Sequence, residues 1–214
     1  DFIVPTGNFG NVLAGYYARL MGLPVGKLVV ASDRNNVLYD FLTTGIYNRN
    51  REFYATSSPS MDILVSSNLE RMLYYVSGGD TALICRLMDD LDRTGSFSIS
   101  SSLLAEIREI FSCGWADEND VASAIVSCRE SYRYVIDPHT ACGYHVMMQS
   151  QGNSPERPQI LLSTASPYKF PRTVLSALDS IPGSVPGEAG ALTAPGKTGL
   201  SDFQCMDILS SISG

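Results

Sequence analysis

The sequence has little positive charge and no long apolar run. Its 15 Lys and Arg residues are outnumbered by 22 Asp and Glu residues, giving a formal net charge of −7. Nucleic-acid backbones and anionic lipids are bound by clusters of Lys and Arg, which are missing here. The apolar stretches fall short of the ~20 residues of a membrane-spanning helix, and no basic-then-apolar leader opens the chain. We therefore expect no nucleic-acid partner, no membrane partner and a cytoplasmic location.

The residues that most often bind metals are also few. The chain has five cysteines, an odd number, and they are widely spaced in apolar helical patterns. Such cysteines are more typical of reduced core residues than of a disulfide framework. The two histidines, His139 and His145, are six residues apart and so lie on different faces of a helix, with no ligand spacing around them. We predict no metal site.

The strongest local pattern is a glycine loop between an apolar strand and a helix. Pro5–Asn11 follows the apolar run Phe2–Val4 and reads Pro-Thr-Gly-Asn-Phe-Gly-Asn. It lacks both the G-x-G-x-x-G dinucleotide fingerprint and the Gly-Lys-Ser/Thr of a nucleotide P-loop. Glycines allow unusual backbone conformations and close approach of a ligand, and the helix that follows offers unpaired N–H groups to an anion. The residues alone leave two readings open, a phosphate site and a simple strand-to-helix turn.

The wording of this loop resembles the phosphate loop of the threonine synthases, which are pyridoxal-phosphate enzymes of fold type II. Further blocks resemble the same family in the same order along the chain. They are 12–15, 21–25, 28–36, 59–63, 137–141 and 163–170. The whole chain therefore resembles the C-terminal half of a threonine synthase. The loops of other fold-type-II enzymes, such as dehydratases and cysteine synthases, are richer in glycine, so these are less favoured alternatives.

The resemblance implies pyridoxal 5′-phosphate as cofactor and assigns its binding residues. The loop residues would bind the phosphate through their backbone N–H groups, and the hydroxyl of Thr164 would meet the pyridine nitrogen. The implied cofactor-binding residues are Gly7, Asn8, Phe9, Gly10, Asn11 and Thr164. Read from the residues alone, Thr164 could instead satisfy backbone groups at a strand end. His139, in a matching family block, could have an indirect role near the site.

Lysine is scarce, which limits what this chain could catalyse. Only Lys27, Lys169 and Lys197 are present, whereas pyridoxal-phosphate chemistry needs a lysine that bonds to the cofactor. The resemblance places that lysine far upstream of the glycine loop, in a context absent from this chain. We therefore predict no catalytic residue here and no turnover by the isolated chain.

The pattern predicts a three-layer α/β fold with a mostly parallel sheet flanked by helices, similar to the tryptophan synthase β subunit. Apolar runs predict strands at Phe2–Val4, Lys27–Ser32 and Ile160–Thr164. Helical periods are found at Val12–Met21, Asn36–Thr44, Met61–Val76, Asp80–Leu91, Ser102–Phe111, Glu118–Arg133, Pro138–Gln149, Pro171–Leu178 and Ser201–Ile212. We expect part of a cofactor domain over 1–178 with a helical insertion at about 61–150, a Pro/Gly-rich loop at 179–200 and a final helix at 201–214. Because the chain begins inside a strand, we also expect a missing N-terminal half as its partner.

Two functions follow from the resemblance. The first is the C-terminal part of a threonine synthase, which with its N-terminal half would convert O-phospho-L-homoserine and water into L-threonine and phosphate. The second is a threonine-synthase-like protein that binds pyridoxal phosphate or a phosphate ester without turnover. A Phe-Lys-Asp-type lysine upstream would favour the first.

Overall fold

A computed structural model describes residues 1–150, 157–178 and 200–212. Within these residues a four-stranded parallel sheet has the strand order β5-β2-β1-β6, and a two-stranded antiparallel sheet joins β3 and β4. The strands are β1 (Phe2–Pro5), β2 (Leu28–Ser32), β3 (Ile46–Asn48), β4 (Ser96–Ser98), β5 (Phe111–Trp115) and β6 (Ile160–Leu161). The predicted α/β fold with a mostly parallel sheet is confirmed.

Nine helices accompany the strands over the described ranges. They are α1 (Gly10–Leu20), α2 (Val37–Thr44), α3 (Leu69–Val76), α4 (Thr81–Thr94), α5 (Ser101–Ile110), α6 (Glu118–Tyr132), α7 (Pro138–Ser150), α8 (Pro171–Ala177) and α9 (Asp202–Ile212). Short 3₁₀ turns occupy Pro59–Met61 and Pro167–Lys169. None of these helices is both long and apolar enough to cross a membrane.

The parallel sheet lies between two layers of helices because side chains alternate along each strand. Val4, Leu28 and Val30 point to one face, where they join the core formed with α1 and α2. Ile3 and Val29 point to the other face and pack against α7. A further cluster, which includes Ile125, Cys142, Leu175 and Leu209, joins α6, α7, α8 and α9. The three layers thus follow from buried strands that are apolar on both faces.

Local start and stop signals position several helices as predicted. Asp137 accepts hydrogen bonds from the backbone N–H groups of His139 and Thr140, at 2.9 and 3.3 Å, and so caps α7 in front of Pro138. Gly45 ends α2 with a φ of 78°, in the left-handed conformation that glycine adopts without strain. Both assignments made from the sequence are confirmed.

The strand β5 was missed by the sequence analysis, which assigned only helices between Met61 and Gln149. The segment Phe111–Trp115 pairs with β2 in the parallel sheet, and Gly114 lies inside it. A Cβ at Gly114 would come 2.7 Å from a methyl carbon of Val146 on α7. The glycine therefore allows a helix to pack closely over the strand.

The predicted helix over Met61–Val76 is wrong in its first half, since α3 begins only at Leu69. The residues before it bond to other parts of the fold: Ser66 N–H donates to the Tyr47 hydroxyl at 2.7 Å, and Asn68 N–H donates to the Asn8 carbonyl at 3.2 Å. These tertiary hydrogen bonds replace those that a helix would make.

The predicted domain boundaries remain a prediction. The predicted helical insertion at about 61–150 contains the strands β4 and β5 as well as helices. Except for residue 200, the predicted Pro/Gly-rich loop lies outside the described residues, as do Lys197 and the last two residues of the chain.

Candidate functional site

A cleft of about 210 Å³ lies at the carboxyl end of β1. Four segments line it: the glycine loop, the 3₁₀ turn at Ser60 and Met61, the start of α7 at His139, and the stretch from Thr164 to Phe170. In open parallel sheets, ligands bind at this edge. The fold therefore places two distant parts of the predicted site, the loop after β1 and the residues after β6, around one space.

Four of the six predicted cofactor-binding residues line the cleft. These are Gly7, Asn8, Asn11 and Thr164. Phe9 is instead fully buried below the loop, where its ring lies 5.6 Å from the ring of Phe111. Gly10 is the first residue of α1 and is not among the lining residues. The side chain of Phe9 anchors the loop and does not form its surface.

The loop conformation depends on Phe9. Its φ of 64° is left-handed, which is uncommon for a residue other than glycine, whereas neither Gly7 nor Gly10 has a positive φ. The N–H of Phe9 donates to Thr6 Oγ1 at 3.0 Å, and the N–H of Gly10 donates to Asn8 Oδ1 at 2.9 Å. The unusual backbone conformation expected at a glycine is thus found at the aromatic residue, whose burial holds it in place.

Three backbone N–H groups of the loop have no partner within the described part of the chain. They belong to Gly7, Asn8 and Asn11, which all line the cleft. The last of them is in the first turn of α1, where a helix presents unpaired N–H groups and the positive end of its dipole. This arrangement is suited to an anion such as a phosphate group.

The backbone of Met61 leaves no room for a side chain at Gly7. A Cβ at this position would come 2.7 Å from the carbonyl oxygen of Met61 and 3.0 Å from its Cα. We call Thr56–Asp62, which contains Met61, the wall segment. The glycine therefore permits contact between the loop and the backbone of the wall segment, in addition to any approach of a ligand.

His139 connects the wall segment to α7. Its Nε2 accepts the N–H of Ser60 at 3.2 Å, so Nδ1 carries the proton and faces Asp137 Oδ1 at 3.1 Å. The imidazole is 3% exposed and its ring centre lies 4.8 Å from that of Phe170. His139 thus joins the wall segment, the start of α7 and Phe170 at the edge of the cleft.

Asp137 is held in its charged form. Burial acts to raise its pKa, but hydrogen bonds from His139 and Thr140 outweigh this effect and hold the pKa below its usual value. A buried carboxylate that caps a helix and orients an imidazole keeps the start of α7 rigid.

The other histidine, His145, lies away from the cleft, and its Nε2 is 2.7 Å from Gln149 Nε2. The described residues contain no cluster of three or more metal-binding side chains.

Thr164 is exposed at the opposite side of the cleft. Strand β6 ends at Leu161, so the predicted strand to Thr164 is too long, although Leu162 N–H still donates to the Ile3 carbonyl at 3.0 Å. The neighbouring Ser163 hydroxyl lies 3.4 Å from Thr140 Oγ1. The Thr164 side chain is therefore accessible to a ligand in the cleft.

The lysines differ in their positions. Lys27 donates from Nζ to the carbonyls of Arg108 and Glu109, both at 2.7 Å, which end α5. Lys169 lines the cleft and is exposed.

Four residues that line the cleft were not predicted from the sequence as site residues: Lys169, Ser60, Met61 and Phe170. The only signal for them was that their segments match family blocks.

Comparisons with known proteins agree with this geometry. The family model described as "Threonine synthase, C-terminal" matches residues 140–197. The threonine synthase of Pseudomonas aeruginosa is 38% identical over 176 residues, which are 82% of this chain and 37% of that protein. "Threonine synthase-like 1" of Pongo abelii is 41% identical over 179 residues, which are 83% of this chain and 24% of that protein.

A solved structure shows the same fold. The crystal structure of threonine synthase from Brucella melitensis, with pyridoxal phosphate bound, superposes with a TM-score of 0.80 and 36% identity. The match covers 99% of this chain and 45% of that chain. The chain thus spans less than half the length of the relatives it matches. The chain therefore belongs to the threonine synthase family, whose C-terminal part it matches.

Proposed function

We propose that this chain forms the C-terminal part of a threonine synthase. With the remainder of that enzyme it converts O-phospho-L-homoserine and water into L-threonine and phosphate, with pyridoxal 5′-phosphate as cofactor. The observation that carries the proposal is that the glycine loop and Thr164, which are far apart in the sequence, line one cleft. The five free cysteines support a reducing compartment, and we place the reaction in the cytoplasm.

The residues fit the cofactor in charge and in hydrogen bonding. The unpaired N–H groups of Gly7, Asn8 and Asn11 would bind the phosphate at the start of α1. Thr164, which lines the same cleft, would meet the pyridine nitrogen with its hydroxyl. When bound, the cofactor supplies an electron sink, and a neutral hydroxyl at its ring nitrogen suits elimination and replacement at the substrate's side chain. Phe9 and the wall segment keep the phosphate end of the cleft in position.

No lysine of this chain is assigned the covalent bond to the cofactor. Lys27 is engaged at the end of α5, and Lys169 matches a family position that does not form that bond. The isolated chain should therefore bind the cofactor weakly and reversibly and release no phosphate from O-phospho-L-homoserine. Borohydride reduction with peptide mass mapping tests this. A stoichiometric pyridoxyl group on Lys27, Lys169 or Lys197, together with threonine formation, would show that the site is misassigned.

A chimaera tests the reaction itself. This chain replaces the matching C-terminal part of the Pseudomonas aeruginosa threonine synthase, and release of phosphate and threonine from O-phospho-L-homoserine is measured. We expect turnover, and we expect the same chimaera with Gly7→Val to lose cofactor retention. A chimaera that folds and retains cofactor without forming threonine would contradict the proposed activity.

The second candidate is a protein of the same fold that binds pyridoxal phosphate or a phosphate ester without turnover. The relatives named "Threonine synthase-like 1", which are 40 to 42% identical, favour it. A chimaera that binds the cofactor but is inactive, while the unaltered Pseudomonas aeruginosa enzyme is active under the same conditions, would support this candidate over the first.

A further inference from the structure

The wall segment Thr56–Asp62 is held to the end of β2 by a cluster of polar side chains. Asp62 Oδ1 accepts from Asn35 Nδ2 at 2.9 Å and from the Thr56 hydroxyl at 2.7 Å. Asp62 Oδ2 accepts the Thr56 N–H at 2.9 Å. The Asn35 amide also bonds to the backbone of Tyr54, at 2.8 Å from its carbonyl and 3.0 Å from its nitrogen. These contacts fix the entry into the wall segment and its last residue.

A second carboxyl group, that of Asp33, completes the cluster. Asp33 directly follows β2, is 2% exposed and accepts the Asn35 N–H at 2.8 Å. Its Oδ2 also lies 3.2 Å from the Thr56 hydroxyl oxygen, which is 2.7 Å from Asp62 Oδ1. A hydroxyl has one proton to donate, and here it goes to Asp62 over the shorter distance. The longer contact is then a hydrogen bond only when Asp33 carries a proton and donates it to Thr56 Oγ1.

The surroundings favour this protonated state. Burial, together with the neighbouring Asp62 carboxyl group, raises the pKa of Asp33 to about 7. The other ionisable groups facing this region are Glu118 of α6, whose carboxylate lies 3.3 Å from the Ser57 N–H, and Asp137, His139 and Cys142 of α7. The Arg34 guanidinium stacks 3.7 Å above the Tyr54 ring. A second negative charge at Asp33 would thus face Asp62 among further acidic groups.

The cluster acts on the cleft through Met61. Met61 adjoins Asp62, its backbone contacts Gly7, and Ser60 next to it bonds to His139. We propose that Asp33 is a positioning residue: its proton completes the hydrogen-bonded chain Asp33–Thr56–Asp62, which clamps the wall segment against the glycine loop and loosens when Asp33 ionises. The consequence for cofactor binding rests on the function proposed above.

The substitution Asp33→Asn keeps the hydrogen-bonding groups of protonated Asp33 but removes its ability to ionise. The Asn amide can donate to Thr56 Oγ1 and its oxygen can accept the Asn35 N–H, so the variant resembles protonated Asp33 at every pH. Amide hydrogen exchange of peptides covering the wall segment is measured at pH 6 and pH 8.5 and corrected for intrinsic rates. Each pH unit above the pKa lowers the protonated fraction tenfold. We expect wild-type protection to fall about tenfold or more between these pH values, and the Asn variant to keep its protection. Equal behaviour of the two proteins would overturn the clamp.

The wild type alone provides a second measurement if the variant does not fold. Trp115, the single tryptophan, is the register partner of Ser32 in β2 and so lies beside Asp33 along the sheet. We expect its fluorescence to change with pH with a midpoint near 7. A flat titration between pH 5.5 and 8.5 would overturn the proposal.

The link to the cofactor is tested with pyridoxal phosphate in equilibrium dialysis at the same two pH values. The ionisation of the ligand affects both proteins equally, so the ratio of wild-type to Asn-variant affinity isolates Asp33. We expect this ratio to fall several-fold from pH 6 to pH 8.5, and an unchanged ratio would overturn the positioning role. If neither protein binds the cofactor at either pH, the weak binding expected of the isolated chain fails, and hydrogen exchange alone decides the clamp.

Discussion

The two sides of the cleft are held in different ways. The wall segment and the glycine loop are tied by buried contacts: Gly7 against Met61, Thr6 Oγ1 on the Phe9 N–H, and His139 on Ser60. On the opposite side Thr164, Tyr168 and Lys169 are exposed. Two side-chain hydrogen bonds there are long: the Tyr168 N–H lies 3.4 Å from Ser166 Oγ, and the Ser163 hydroxyl lies 3.5 Å from the Ala165 carbonyl. The folding of this chain therefore fixes the glycine-loop end of the cleft, while the Thr164 side presents accessible side chains.

The largest effect is expected from Gly7→Val, which breaks the fixed side. Its Cβ would overlap the backbone of Met61, and such overpacking costs about 3 kcal/mol at the upper end of the usual range. Urea unfolding measures the loss. The matched control is Gly10→Val, since a Cβ there meets Asn8 Oδ1 at 3.1 Å and Asn68 Nδ2 at 3.6 Å, both in side chains that can move. We expect a loss below about 1 kcal/mol for the control. Equal losses would mean that the loop and the wall segment are not in fixed contact.

His139→Ala should have an intermediate effect because His139 joins both sides. The substitution leaves the Ser60 N–H and the buried Asp137 carboxylate without their ring partner, at a cost of about 2 kcal/mol in the free energy of unfolding. His145→Ala on the same helix removes a more exposed histidine and should cost less than about 0.5 kcal/mol. Thermal unfolding of both variants at pH 7 makes the comparison, and similar losses would contradict the role assigned to His139.

Thr164→Val should change the free energy of unfolding least, because this side of the cleft has fewer buried contacts than the glycine-loop side. The residue is exposed, and we expect less than about 0.5 kcal/mol in the free energy of unfolding. In the chimaera, cofactor affinity should fall by about 1 kcal/mol, one neutral hydrogen bond, and turnover should fall as well. Equilibrium titration and steady-state kinetics measure these effects. Turnover equal to that of the unsubstituted chimaera would remove the proposed electronic role of Thr164.

The sequence was sufficient wherever a signal is local. The glycine loop between a strand and a helix, Asp137 before Pro138 and Gly45 after α2 each depend on residues within a few positions of one another, and the structure has each of these features. Strand β5 carried no such signal. It is five residues long, contains Gly114 and follows α5 directly, so its identity depends on pairing with β2.

By itself, the sequence determined the α/β class through the periodicity of its apolar residues. Its short motifs determined the family and the two segments that meet at the cleft. Only the tertiary structure decided that Phe9 takes the left-handed conformation, since the burial of its ring outweighs the backbone cost. Folding also decided that Gly7 faces Met61 and that the Thr56 hydroxyl lies between the carboxyl groups of Asp33 and Asp62. These contacts join residues far apart in sequence, and their energies depend on burial, which no local pattern of residues encodes.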